Sequence, residues 1–195
     1  MPTEVEIKLS VSNLKSMSTQ IRQHGWRVSS RRKFEANWLF DCANKSLQRS
    51  DHLLRVRQSG RTAWLTVKGP VQQNKAHKIR NEIEIGISDA NTTITLLETL
   101  GYSIAWRYEK YRRCFTKTNE PGKILLDETP IGNYLELEGS AIWIDNTSVT
   151  LGFSRSDYII ASYRSLFEQY RRSHSVGPNM IFDHRIDTNS SDANS

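Results

Sequence analysis

The sequence predicts an α+β protein built around one large antiparallel sheet or barrel. Segments with alternating apolar and polar residues recur along most of the chain, and several are unusually long, whereas only three segments show helical spacing. The 195-residue chain has no convincing internal repeat. We therefore expect a single domain over residues 1–172, followed by a tail at 173–195 whose composition is typical of disorder.

The first predicted strand is EVEIKL at residues 4–9. Successive side chains of a strand point to opposite faces, so Glu4, Glu6 and Lys8 share one face and the apolar residues between them share the other. For this strand alone, a charged face in bulk water is the simpler interpretation.

The remaining elements follow from the same kind of pattern. A helix is predicted at 10–25, where apolar residues recur at near-helical spacing and a glycine ends the pattern. Further strands are predicted at 26–41, 52–70 (a hairpin), 77–87, 102–117, 123–130 and 132–139. Capping residues predict a helix at 88–101, and apolar spacing predicts a closing helix from Asp157 to about Tyr170.

Composition and charge predict where the protein is located more than what it does. The formal net charge of +6 and the pI of about 9.4 are compatible with nucleic acid, acidic lipid or a polyphosphate ligand. No apolar run approaches the ~20 residues that span a bilayer, and no signal-peptide stretch is present. Cys42 and Cys114 form no CxxC motif. These features predict a cytoplasmic protein with reduced thiols and no membrane association.

Two other ligand classes are disfavoured. The basic clusters in SSRRKF (29–34) and at Arg171-Arg172 could contact nucleic acid, but solvated edges, or a mouth that attracts anions, are the simpler interpretations. The five histidines show no metal-ligand spacing, so a zinc site is not expected.

Charged residues on the predicted strands share one face, strand after strand. The basic residues of this face are Lys8, Arg55, Arg57, Lys68, Arg80, Lys110 and Arg112. The acidic residues are Glu4, Glu6, Glu82, Glu84, Asp127, Glu136 and Glu138. On an open sheet this face would lie in water, and periodicity alone slightly favours that interpretation. In a closed barrel the same face would surround a lumen suited to a multivalent anion and a hard divalent cation.

The charged segments also form an ordered set of motifs. EVEIK, LLRVR, LTVKGP, RNEIE, EKYR and LLDETPIGNYLELEG occur in this order, followed by Ser162-Tyr163. This set resembles the motifs of the CYTH or triphosphate tunnel metalloenzyme superfamily, which includes class IV adenylyl cyclases, thiamine triphosphatases and inorganic triphosphatases. The resemblance runs from Glu4 to roughly Tyr163. The complete set is far more specific than the ExExK motif alone.

The resemblance implies a closed antiparallel barrel of eight strands with flanking helices. It implies that a triphosphate is held by Lys8, Arg55, Arg57, Lys68, Arg80, Lys110 and Arg112. It implies that Mg²⁺ or Mn²⁺ is held by Glu4, Glu6, Glu136 and Glu138, with Asp127 adjacent. The residues expected to take part in catalysis are Lys8, Arg57, Lys68, Glu82 and Glu84, of which the last two would assist the metal site or orient the bases.

The resemblance leaves the reaction open. We narrowly favour metal-dependent hydrolysis of a triphosphate-containing substrate, namely inorganic triphosphate, thiamine triphosphate or a nucleoside triphosphate. The first alternative is a class IV adenylyl cyclase, because no residue commits the sequence to adenine or excludes it. The second is a non-catalytic module that binds polyphosphate or nucleotide. A homodimer is compatible with the sequence.

Overall fold

The computed structural model describes residues 3–72, 74 and 76–183. Its strands are β1 (Thr3–Val11), β2 (Arg27–Cys42), β3 (Leu53–Ser59), β4 (Thr62–Lys68), β5 (Lys78–Ile87), β6 (Tyr102–Thr116), β7 (Lys123–Thr129) and β8 (Gly132–Glu138). Its α-helices are α1 (Leu14–Gln23), α2 (Ser46–Arg49), α3 (Ala90–Thr99), α4 (Ala141–Thr150) and α5 (Tyr163–Arg171). Within these residues, no helix combines the length and the apolar character needed to cross a bilayer.

The eight strands form a closed antiparallel barrel in the order β1-β5-β4-β3-β2-β6-β7-β8. The barrel closes where β8 returns to β1, with Lys8 opposite Glu136 and Leu9 opposite Leu135. This architecture confirms the predicted fold class and every predicted strand. The longest ladder joins β2 to β6, and register shifts along it bend both strands.

Alternation along the strands separates two environments. The outward residues of β1, β7 and β8 form an apolar cluster with α1 and α4, which includes Ile7, Leu9, Ile21 and Ile144. The outward residues of β3 and β4 pack instead against α3 through Val56 and its neighbours. Because helices cover these apolar faces, the charged faces are left to point into the barrel.

Side-chain caps fix where the helices begin. Asn13, Asp89, Ser140 and Ser162 each accept a hydrogen bond from a backbone N–H in the first turn of the helix that follows. The closing helix therefore begins at Tyr163, and the prediction that it begins at Asp157 was wrong.

A main-chain bridge explains that difference. Ile159 exchanges backbone hydrogen bonds of 2.8 and 2.9 Å with Lys8, which holds it extended against β1.

The sequence analysis did not predict helix α4, because the run Ile142-Trp143-Ile144 shows no helical period; Ile142 is exposed while Ile144 is fully buried.

The folded part extends beyond the predicted domain boundary at residue 172. Met180 is fully buried, and its backbone bonds to Arg107 and Glu109 of β6, parallel to that strand. Phe182 packs against the ring of Tyr111. The rest of the predicted tail, residues 184–195, lies outside the described residues.

Gly122 and Gly139 make room for the indole of Trp143. An added Cβ at Gly122 would lie 2.5 Å from three ring atoms of Trp143. We expect Gly122→Ala to lower the free energy of unfolding by about 1–3 kcal/mol, as overpacking of a filled core does. Denaturant titration measures this change, with Gly86→Ala as the control because nothing lies within 4 Å of a Cβ there. Equal stability of the two variants would contradict the prediction.

Candidate active site

The inner face of the barrel encloses a cavity of about 650 Å³. Thirteen of the fourteen charged residues predicted to share one face line this cavity, and the fourteenth, Asp127, is fully buried beside Lys110 and Arg112. Closure explains the convergence, because alternate residues of every strand point inward. The charged face therefore surrounds a lumen, and the simpler interpretation of a face in bulk water was wrong.

Burial in this lumen requires charge compensation. Lys8 is 2% exposed and lies 3.4 Å from carboxylate oxygens of both Glu6 and Glu136. Burial would lower the pKa of Lys8, but the two carboxylates outweigh burial and raise it. Lys8 therefore stays charged inside the barrel.

One group of carboxylates could hold a divalent cation. Glu4, Glu6 and Glu138 each offer an oxygen, and the three oxygens lie within 4.8 Å of one another. Hard oxygen ligands of this kind suit Mg²⁺ and Mn²⁺, so the donor set fits either ion. We call these three residues the carboxylate group. Of the five predicted metal ligands, the structure brings these three together.

Each member of the carboxylate group forms a short ion pair with a lysine from another strand. The pairs are Glu4 with Lys68, Glu6 with Lys78 at 2.6 Å, and Glu138 with Lys123 at 2.7 Å. Two of these lysines, Lys78 and Lys123, were not among the predicted site residues. Lys78 lies two residues before Arg80 on β5, so extending the alternation by one step would have found it.

The three carboxylates differ in how readily they ionise. Burial raises the pKa of Glu4 and of Glu138, in spite of their lysine partners. Burial would also raise the pKa of Glu6, but Lys8 and Lys78 outweigh it and the pKa is lowered. A positive charge added to this group would stabilise the ionised forms of Glu4 and Glu138.

The other two predicted metal ligands lie in a different environment. Asp127 accepts hydrogen bonds from Lys110 at 2.8 Å, from Arg112 at 2.6 and 2.7 Å, and from the Tyr163 hydroxyl at 2.8 Å. Glu136 is held between Lys8 and Arg112. In the structure, Asp127 and Glu136 therefore pair with basic side chains and do not belong to the carboxylate group.

Glu82 and Glu84 contact the predicted phosphate-binding residues. Glu82 lies 3.1 Å from Lys68, and Glu84 lies 3.4 Å from Arg55. Neither belongs to the carboxylate group. Of the two roles expected for them, orienting the bases fits these contacts.

The sequence analysis missed a buried carboxylate that lies beside two of the bases. Glu35 of β2 lies 3.5 Å from Arg57 and 3.8 Å from Lys110. Burial would raise the pKa of Glu35, but these cations outweigh it and lower the pKa to about 2. The neighbouring Asn37 accepts a hydrogen bond of 2.8 Å from Arg57 Nε. Glu35 and Asn37 thus fix the orientation of Arg57.

Arg80, another predicted phosphate-binding residue, is held mainly by backbone carbonyls. Its guanidinium donates hydrogen bonds to the carbonyls of Gly69, at 2.5 Å, and Asp51. Arg80 still lines the cavity, and it ties the segment after β4 to the turn before β3.

The fold and site together define a closed eight-stranded tunnel barrel with an ion-paired lumen. The sequence model of the CYTH domain matches residues 2–142. The chain belongs to the CYTH family.

Three related proteins share at most 28% sequence identity with this chain. A protein of Methanocaldococcus jannaschii named "Putative adenylate cyclase" is 28% identical over 137 residues, which is 70% of this chain and 77% of that protein. A Vibrio parahaemolyticus structure with a similar name shares 20% identity and a TM-score of 0.75, over 85% of this chain and 97% of its own. A Hippeastrum protein described as a "Putative adenylyl cyclase" with a dominant triphosphatase activity shares 15% identity and a TM-score of 0.64, over 87% and 96%.

Two adjacent acidic residues allow a matched test of burial. Asp127 is fully buried with three donors, whereas Glu128 forms a partly exposed pair with Arg32. We expect Asp127→Asn to cost about 3–5 kcal/mol of unfolding free energy, because it leaves buried cations uncompensated. Glu128→Gln should cost at most about 1 kcal/mol. Chemical denaturation followed by circular dichroism measures both. Equal effects would refute a structural role for Asp127.

Proposed function

We propose that this protein is a divalent-metal-dependent hydrolase of a triphosphate-containing substrate. One observation carries the proposal: a single cavity combines a group of three carboxylates with a wall of basic side chains. A phosphate chain has several negative charges, and its hydrolysis needs those charges neutralised and the chain held in line. The cavity offers both kinds of group within one enclosure.

The basic residues would perform the binding. Arg55, Arg57 and Lys110 line one wall, and Lys8 and Lys68 lie close to the carboxylate group. Their existing ion pairs hold these cations in place before the ligand arrives, which reduces the reorganisation that binding requires. Phosphate oxygens would replace the carboxylates as partners of the bases.

The carboxylate group would hold the ion. A divalent cation held by Glu4, Glu6 and Glu138 would supply positive charge beside the phosphate oxygens and make a bound water more acidic. Lys78 and Lys123 would then lose their present partners, and Lys68 would keep only Glu82, so all three lysines would become more available to phosphate. The same lysines thus serve as counterions without the ligand and as donors with it.

A specific comparison keeps cyclisation as the second candidate. The Methanocaldococcus jannaschii relative has a name that refers to adenylate cyclase. The Hippeastrum protein, described with a dominant triphosphatase activity, supports hydrolysis on the same fold. In cyclisation the ribose hydroxyl would attack the α-phosphate and release pyrophosphate, whereas in hydrolysis water would attack the terminal phosphate.

The products separate the two reactions. The purified protein is incubated with Mg²⁺ or Mn²⁺ and, separately, inorganic triphosphate, ATP and thiamine triphosphate. We expect inorganic phosphate to be released, because the basic residues of the cavity would hold the phosphate chain and neutralise its charge while water attacks the terminal group. Cyclic AMP with pyrophosphate from ATP would overturn the proposal in favour of the cyclase. Tight binding without turnover of any substrate would assign a binding module.

The carboxylate group gives a second test. We expect Glu4→Gln combined with Glu6→Gln to reduce turnover by at least about 100-fold, more than the loss of an outer partner of a metal ligand usually costs. Metal-free binding of inorganic triphosphate should persist or tighten, because negative charge is removed. Calorimetry and phosphate release measure the two effects, with Glu128→Gln as the control. Unchanged turnover in the double variant would remove these residues from the metal site.

A further inference from the structure

The inner wall of the barrel contains three buried hydrogen-bond donors, on Tyr108, Arg55 and Trp106, and the proposed function gives a role to Arg55 alone among these residues. Tyr108 lines the cavity, and its hydroxyl oxygen accepts a bond of 3.2 Å from Arg55 Nη1. Among the described residues, this hydroxyl donates no hydrogen bond. Arg55 Nε and Trp106 Nε1 are also buried without an acceptor among those residues. Buried donors are rarely left unpaired in folded proteins, so this group calls for an acceptor from outside the chain.

The donors are held in fixed positions. The ring of Trp106 stacks on that of Tyr108 with centroids 5.0 Å apart and an interplanar angle of 22°. Both residues are less than 10% exposed, and Met180 bonds to the backbone on either side of residue 108. The phenol is thus rigidly placed on the lining of the cavity.

The charges around Tyr108 identify the kind of acceptor. The groups that face it are Arg55 and Arg57 from β3, Lys110 from β6, and the Tyr163 ring from α5 at 6.3 Å; Glu35 of β2 pairs with two of these cations. Positive charge dominates. An anionic oxygen would therefore gain more from this position than a neutral carbonyl would.

We propose that Tyr108, with Arg55 and Trp106, forms a subsite for a phosphoryl oxygen, and that filling this subsite requires the protonated phenol of Tyr108. The only transfer in this step is that of one proton. A phenolate at Tyr108 takes one proton from solvent as the phosphoryl group enters, and the phenol then donates its hydrogen bond to that group. This inference rests on the proposed function only for its ligand, a phosphate chain.

The ionisation of Tyr108 makes this coupling measurable. Burial would raise the pKa of Tyr108, but Arg55, Arg57 and Lys110 outweigh it and lower the pKa to about 7. In the free protein the phenol is therefore protonated below about pH 7 and ionised above it. An incoming anion opposes the phenolate, so binding raises the pKa and takes up a proton. Affinity should fall as the pH rises through the pKa of the free protein.

The first experiment is a titration of the near-ultraviolet absorbance of tyrosinate in metal-free protein. We expect one tyrosine to ionise near neutral pH and inorganic triphosphate to move that transition to higher pH. Tyr108→Phe keeps the ring and its stacking, and should abolish the transition. Tyr102→Phe, on the same strand but against the outer cluster, should retain it. Absence of a neutral transition, or its survival in Tyr108→Phe, would overturn the inference.

The second experiment measures triphosphate affinity against pH in the wild type and in Tyr108→Phe. The titration of the ligand itself is common to both proteins and cancels in the comparison. Full coupling to one proton predicts that affinity falls about tenfold more in the wild type than in the variant between pH 6 and pH 8. Parallel profiles would refute the subsite.

The outcomes distinguish this inference from the proposed function. If inorganic triphosphate binds without moving the tyrosine transition, the subsite is refuted and the proposed function is unaffected. A moved transition in a protein without turnover supports the subsite and removes the hydrolase. If inorganic triphosphate does not bind at all, both fall.

Discussion

The requirement that every buried charge be compensated governs this structure. Closing the barrel turns the charged residue at every second position inward, where an unpaired ion would be strongly destabilising. The structure meets this requirement by pairing bases and acids from different strands, as Lys8 does with Glu136 and Lys110 does with Asp127. Ion pairing thus specifies the inside of the barrel, while apolar packing against the helices specifies the outside.

Compensation is uneven along the lumen, and this unevenness has functional meaning. Asp127 is saturated by three donors and is poorly placed to change partners. Each member of the carboxylate group has one principal lysine partner, and two of the three have pKa values raised by burial. The interior thus contains a fixed region around Asp127 and an exchangeable region around Glu4, Glu6 and Glu138. Exchange of partners is what a site that binds a cation and an anion together requires.

Alternation in β1, β3, β5 and β8 predicted a large sheet or barrel and most of the residues on its charged face, but closure of that sheet was predicted only from the resemblance to the CYTH family. The sequence analysis did not find Glu35 because register shifts along the β2–β6 ladder interrupt the inward–outward alternation of β2, the longest strand. The division of the acids into a group for a cation and a group for the bases could not be predicted. It depends on which side chains meet across the lumen, and Lys68 of β4 reaches Glu4 of β1 across an intervening strand. Pattern along one strand contains no information about such distances.

The pairing of β1 with both β5 and β8 has a kinetic consequence. Strand β1 lies between two partners that follow it much later in the sequence, and its contact with β8 joins the first and last strands of the barrel. Contacts that close long loops form slowly, so the ring should close late in folding, after the meander β3-β4-β5 has formed. Until β1 joins its partner strands, its acids lie in water without the lysines that other strands provide. The site is therefore assembled only when the whole fold is complete.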